Sequence, residues 1–203
     1  MAIQGTAPAD PSGSTSRTLL ERIRSADPVA WRRLVELYGP VVRRWAQHLQ
    51  LQASDAADIT QEVFRAVAEH IAEFHHDGSG YRFRSWLKTI TVNKVRDQFR
   101  RRAREAQALG GSEARQLFEQ QAESVNLSPA QEEEGLSDLC RRALQLIQSE
   151  FEETTWKAFW QTAVEDRLAA DVAADLGMSL AAVYKAKSRV LHRVREEFSD
   201  LLE

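Results

Sequence analysis

The sequence predicts an all-α protein: two small helical domains joined by a flexible linker. Three observations carry that reading. Apolar residues recur at three- and four-residue spacing through most of the chain after residue 17, and no convincing strand occurs. Nine glycines and five prolines in 203 residues are too few for a strand-and-turn protein. Between Ala103 and Leu127 the helical pattern weakens around Gly110-Gly111 and scattered Gln and Glu, which divides the chain in two. With 43% hydrophobic and 28% charged residues, the composition is that of an ordinary soluble globular protein. No apolar run approaches the ~20 residues that span a bilayer, and no basic-then-apolar leader opens the sequence. A cytoplasmic chain without membrane insertion is therefore expected. The single Cys140 excludes an internal disulfide framework and a multi-cysteine zinc site, and no cofactor is expected.

Residues 1–17, rich in small residues, Pro and Gly, read as a disordered tail. The first domain spans 18–104. Asp27-Pro28 starts a helix, with Asp27 capping free N–H groups and Pro28 at a position where no donor is missed. Trp31, Leu34, Val35, Leu37 and Tyr38 follow at helical spacing, Gly39-Pro40 reads as a break or kink, and Val41, Val42, Trp45 and Leu49 resume the pattern. A second helix opens at Ser54, where Ile59, Val63, Val67 and Ile71 make one apolar stripe and Asp55, Asp58, Glu62 and Glu69 lie off it. The polar loop FHHDGSGYRF (74–83) ends it. Ser85 to Arg104 then reads as one helix of about 30 Å at ~1.5 Å per residue, with Trp86, Leu87, Ile90, Val95 and Phe99 available for burial. Residues 105–127 read as the linker. Ser128-Pro129-Ala130-Gln131 resembles a capping box and opens the second domain, 128–203, with helices expected over 129–149, 152–162, 168–176 and 179–198.

Charge is distributed unevenly. From Arg82 to Arg104 nine basic side chains face one acid, Asp97, a local +8 in a chain of net −3, so the remainder carries −11. Ser179 to Arg195 holds Lys185, Lys187, Arg189, Arg193 and Arg195 with no acid. Two cationic segments in an otherwise acidic chain point to two contacts with a polyanion, although either alone is equally read as a solvated helix face. In DVAADLGMSLAAVYKAKSRVL (171–191), Val172 and Leu176 supply a short helix's apolar face and Gly177 permits a left-handed turn. Met178 plugs the core and Ser179 caps the next helix. Val183, Ala186, Val190 and Val194 form that helix's inner face, leaving Tyr184, Lys185, Ser188 and Arg189 outside. The pattern describes a helix-turn-helix whose second helix enters a DNA major groove; two helices of a plain bundle share the spacing.

DAADITQEVFRAV (55–67) followed by FRSWLKTITVNKVRDQFRRR (83–102) resembles conserved region 2 of bacterial RNA polymerase sigma factors, and the C-terminal motif is similar to their region 4. With only an acidic linker between (Glu113, Glu119, Glu123, Glu132, Glu133, Glu134), the arrangement resembles the extracytoplasmic-function (ECF) class. That resemblance implies binding to core polymerase, through its β′ clamp helices and β flap, and to promoter DNA, with an anti-sigma factor as a further candidate partner. It places Asp55, Asp58, Gln61, Glu62 and Phe64 on the β′ clamp helices, where a carboxylate ridge pairs with arginines and an exposed Phe64 anchors. Without the family, those acids read as a solvated face. It gives Lys88, Arg96, Arg100 and Arg101 to phosphates near the minus-ten element, Asn93 to a base or backbone, and Tyr81 to a flipped base. Trp86, Leu87 and Ile90 read as core, and the adjacent His75 and His76 as solvated rather than metal-binding. At the minus-thirty-five element it assigns Tyr184, Lys185 and Ser188 to bases and Lys187, Arg189 and Arg193 to the backbone. Tyr184 and Lys185 depart from the Arg or Ser that many relatives carry, so the recognised promoter is not transferable. No P-loop, GxGxxG, HExxH or nucleophile–base arrangement supports catalysis, and no catalytic or metal-binding residue is assigned. The rival reading is a conventional helix-turn-helix regulator that binds duplex DNA without polymerase.

Overall fold

In the computed structural model, which describes residues 18–74 and 83–202, every regular element is helical. In order they are α1 (Leu19–Arg24), α2 (Pro28–His48), α3 (Ala53–His70), α4 (Phe83–Ala108), α5 (Ser112–Ser124), α6 (Pro129–Ile147), a single 3-10 turn (Gln148–Glu150), α7 (Glu153–Ala163), α8 (Ala169–Leu176) and α9 (Leu180–Leu202). The starts follow local chemistry. Thr18 and Glu21 form a reciprocal capping box at α1, as Ser128 and Gln131 do at α6. Asp27 Oδ1 accepts from the N–H of Val29 at 2.8 Å and of Ala30 at 3.3 Å at α2.

Two sequence expectations give way. Gly39-Pro40 does not break the second helix, because α2 runs through Pro40. An internal proline costs about 3 kcal/mol. Leu34, Leu37, Tyr38, Val41, Val42 and Trp45 lie on both sides of it in one core, and that shared burial outweighs the loss. The second correction concerns 105–127, which is not a flexible connection: α5 occupies its middle. The cause lies in α4. Val92 apart, its buried residues Phe83, Leu87, Thr91, Val95, Phe99 and Ala103 are four apart. At about 100° per residue each step advances the stripe by roughly 40°, so it winds through about 200° along the rod. No single neighbour can cover it. Helices α2 and α3 pack along one side, and the chain turns at Gly110 (φ +79°) and sends α5 back along α4. Half-buried Phe118 and buried Ala122, Val125 and Leu127 form the returning face.

The two halves of the chain share one core. Leu139, Ala143 and Ile147 of α6 and Phe198 and Leu201 of α9 join Leu34, Leu37, Tyr38 and Trp45 of α2. The Tyr38 hydroxyl donates to the Leu201 carbonyl, and Arg44 pairs with Asp138 at 2.5 Å. Burial pushes the Tyr38 phenol far above its ordinary range, with Cys140 adding to and Arg84 opposing the shift, so it remains a neutral donor. A second, smaller cluster of Ala158, Val172, Ala173, Val183 and Ala186 holds α7, α8 and the start of α9 together.

Candidate nucleic-acid interface

Helices α8 and α9 meet at the predicted turn. Gly177 ends α8 in the left-handed conformation at φ +63°, where a Cβ would be strained. The Met178 N–H bonds back to the Ala173 carbonyl at 2.9 Å. Ser179 Oγ accepts from the Ala182 N–H at 3.2 Å and starts α9. Met178 is half-buried against the smaller cluster rather than fully enclosed. Val183, Ala186 and Val190 face inward and Val194 is half-buried. Tyr184, 57% exposed, stands with Lys185, Ser188 and Arg189 on the outer face.

Two members of the expected DNA-backbone set are otherwise engaged. Half-buried Lys187 directs its Nζ at the Thr162 carbonyl, 3.4 Å away in the last turn of α7, where a helix C-terminus attracts a cation. Arg193 is half-buried in an ion-pair cluster: Nε lies 2.7 Å from Glu150 Oε2, and an Nη also pairs with Glu197. Arg33 of α2 completes the cluster, contacting Glu197 directly and Glu150 at 3.1 Å. Burial alone would lower the Arg33 and Arg193 pKa values. For Arg33, hydrogen bonds and charge from Glu197 and Glu150 outweigh it; for Arg193, the Glu150 hydrogen bond and the charges of Glu197 and Glu150 do so, and both are raised. Glu150 is held below the ordinary carboxylate range, its burial outweighed by Arg193 and Arg33. The sequence carries one trace of this cluster, the four-residue spacing of Arg193 and Glu197; nothing local announces Arg33, 164 residues from Glu197.

On α4, Asn93, Arg100 and Arg101 are exposed, while Lys88 and Arg96 are half-buried. Arg96 donates to the Val125 carbonyl at 3.0 Å and thereby fastens the end of α5. Arg100 lies 3.7 Å from Asp97 and Arg101 lies 4.0 Å from Glu105, exposed pairs that water screens. Arg100 and Arg104 also line an open cleft between α4 and α5 with Asp97, Gln107 and Glu119. Leu87 is buried and Trp86 and Ile90 half-buried, Trp86 stacking on Phe74 at 5.0 Å. Tyr81, His75 and His76 lie outside the described residues.

On α3, Asp58 and Gln61 are exposed and Glu62 half-buried. Phe64 is not the expected exposed anchor: it is 7% exposed and packs edge-on against Trp31 at 6.2 Å, since it falls beside Val63 and Val67 on the inward face. Asp55 is half-buried and pairs with Arg102 of α4 at 2.6 Å, bracing α3 to α4. Among the described residues no group of three or more His, Cys, Asp or Glu could hold a metal ion, and no helix is long and apolar enough to cross a membrane.

Comparison with known proteins bears on both halves. Residues 34–105 match the family model described as Sigma-70 region 2. The RNA polymerase sigma factor CnrH of Cupriavidus metallidurans is 27% identical over 187 residues, covering 92% of this chain and 94% of CnrH. The ECF RNA polymerase sigma factor BldN of Streptomyces coelicolor is 30% identical over 92 residues, but the chain spans only 34% of its length. The RNA polymerase sigma factor NccH of Alcaligenes xylosoxydans xylosoxydans is 32% identical over 84 residues and is spanned to 44%. A solved structure of CnrH in complex with the cytosolic domain of CnrY aligns over 89% of this chain and 95% of that one at 20% identity and a TM-score of 0.37, too low to bear on the fold. The region 2 match lies on α2 to α4 and the CnrH alignment takes in 92% of the chain, so the chain is similar to RNA polymerase sigma factors over most of its length.

Proposed function

We propose that this chain binds core RNA polymerase and directs it to promoters through two DNA contacts, without covalent chemistry of its own. The observation that carries the proposal is the outer face of α9: Tyr184, Lys185, Ser188 and Arg189 stand exposed on a helix placed by a glycine turn, as groove reading requires. Residues 128–203 take the minus-thirty-five element through that face. Residues 18–104 take core polymerase and the minus-ten element. Asn93, Arg100 and Arg101 lie exposed along α4, suited to a displaced strand whose phosphates they neutralise. Asp58, Gln61 and Glu62 form the outward edge of α3 and meet a basic surface of the polymerase. Arg96, Lys187 and Arg193 are occupied within the chain and position helices instead. The protein acts in the cytoplasm, where its polymerase is.

Run-off transcription with purified core polymerase on a genomic library tests this and yields the promoter. Discrete transcripts that depend on the protein are expected, lost when Asp58 and Glu62 are both changed to Lys. Tight sequence-specific duplex binding without polymerase, and no transcripts with it, would favour the conventional regulator.

A further inference from the structure

We infer that the cleft between α4 and α5 reads an unpaired guanine, with Arg104 on one edge of the base and Glu119 on another. The inference deepens the functional reading above, because an opened promoter presents such a base on its displaced strand. Folded along α4, helix α5 adds a second wall to the cationic rod. Asp97, Arg100, Arg104 and Gln107 follow one another at three- and four-residue spacing on the α4 side, and Glu119 of α5 lines the cleft from the other. Ala103, 4% exposed, supplies a small apolar floor on which a planar ring can lie. The cleft holds about 690 Å³, within the ~300–1,000 Å³ of sites that take small organic ligands.

The charges decide the ligand class. Two guanidiniums are balanced by two carboxylates, so the cleft offers a bare polyanion less than the rest of α4 does. A base is different, because it carries donors and acceptors on one rigid plane. Guanine sets a pair of acceptors, O6 and N7, beside a pair of donors, N1–H and N2–H; the first suits an arginine fork and the second a carboxylate. Arg104 has no hydrogen-bond or ion-pair partner among the described residues, so its fork is available. Arg115 donates its Nε–H to Glu119 Oε1 at 2.9 Å, which orients that carboxylate and leaves lone pairs on both oxygens. Arg100 lies 3.7 Å from Asp97 in an exposed, screened pair and can turn to the phosphate of the same nucleotide at little cost. In a duplex the N1–H is spent on cytosine, so both edges are available only in an unpaired base. Arg104 is eleven residues beyond Asn93, about 17 Å along α4, or about five stacked nucleotides from the strand contact proposed there.

The test titrates the full chain into dye-labelled oligo-dT of about 12 nucleotides, and into the same strand with one central dG, dA or dC, read by anisotropy. The dG strand should bind at least about fivefold tighter than the other three, the lower limit for a bidentate base contact. Glu119→Gln and Arg104→Ala should each erase that preference. Affinity for the all-dT strand should not fall in Glu119→Gln, which separates base reading from loss of fold; both side chains are exposed, and circular dichroism checks helix content. Guanosine and adenosine monophosphate as competitors identify the source of the base. Displacement by dG strands alone assigns the cleft to the promoter. Displacement by guanosine monophosphate at the same concentration upholds guanine reading with a free nucleotide as occupant. Affinity that does not depend on the base, no binding by any strand, or a dG preference that survives Glu119→Gln overturns the inference. Absence of run-off transcripts with the dG preference intact would overturn the promoter reading instead and leave the guanine site standing.

Discussion

Arg189 and Arg193 stand four residues apart on α9, and the sequence offers both to a DNA backbone. The structure separates them, and replacing each by Ala should give opposite signatures. Arg189 is exposed, so its removal should leave stability within about 0.5 kcal/mol. If it neutralises one phosphate, the slope of log affinity against log salt for the holoenzyme on its promoter should become shallower by about 0.9. That slope change amounts to a roughly 3.5-fold change in the affinity ratio between 50 and 200 mM salt. Arg193 instead pairs with Glu150 and with buried Glu197, leaving Arg33 as the only cation on that carboxylate once it is gone. The cost is about 1–3 kcal/mol, below that of stripping a buried charge of all partners. At about 2–4 °C per kcal/mol for a chain of this size, Tm should fall by about 2–12 °C while the salt slope stays unchanged. Thermal melts and salt titrations by fluorescence anisotropy check both. An Arg193→Ala variant with a shallower slope and an unmoved Tm would refute the assignment.

Phe64→Ala should cost about 3–5 kcal/mol in urea unfolding, because the ring is buried against Trp31, while the affinity of the folded fraction for core polymerase stays unchanged. Glu150 has a folded pKa below its ordinary 4.5, so its stabilisation is complete above that value and is lost as pH falls through the depressed one. The urea midpoint should therefore hold above about pH 5.5 and fall below pH 4.5 more steeply in the unaltered protein than in Glu150→Gln.

Much of the fold is written locally. Asp27, Ser128 and Ser179 cap the helices they precede, Gly177 makes the turn, and Val183, Ala186 and Val190, three of the four residues that the spacing puts inward on α9, are buried. These succeed because capping and periodicity act within one or two turns of chain. The candidate site was legible where a side chain's exposure follows from its own helix, as for Tyr184, Lys185, Ser188, Asn93 and Asp58. It was illegible where a distant element claims the side chain: Arg96 by Val125, Asp55 by Arg102, Arg193 by Glu150, Lys187 by Thr162.

By itself, then, the sequence determined that the chain is helical, where most helices begin, and which segments concentrate positive charge. Only the tertiary structure decided that α5 closes the winding stripe of α4, that Phe64 turns inward, and that Arg33 and Glu197 bind the two halves. The reason is range. Helix periodicity and caps are fixed by neighbours within about four residues, whereas which helix covers an apolar stripe, and which cation meets a buried carboxylate, depends on groups up to 164 residues apart brought together by packing.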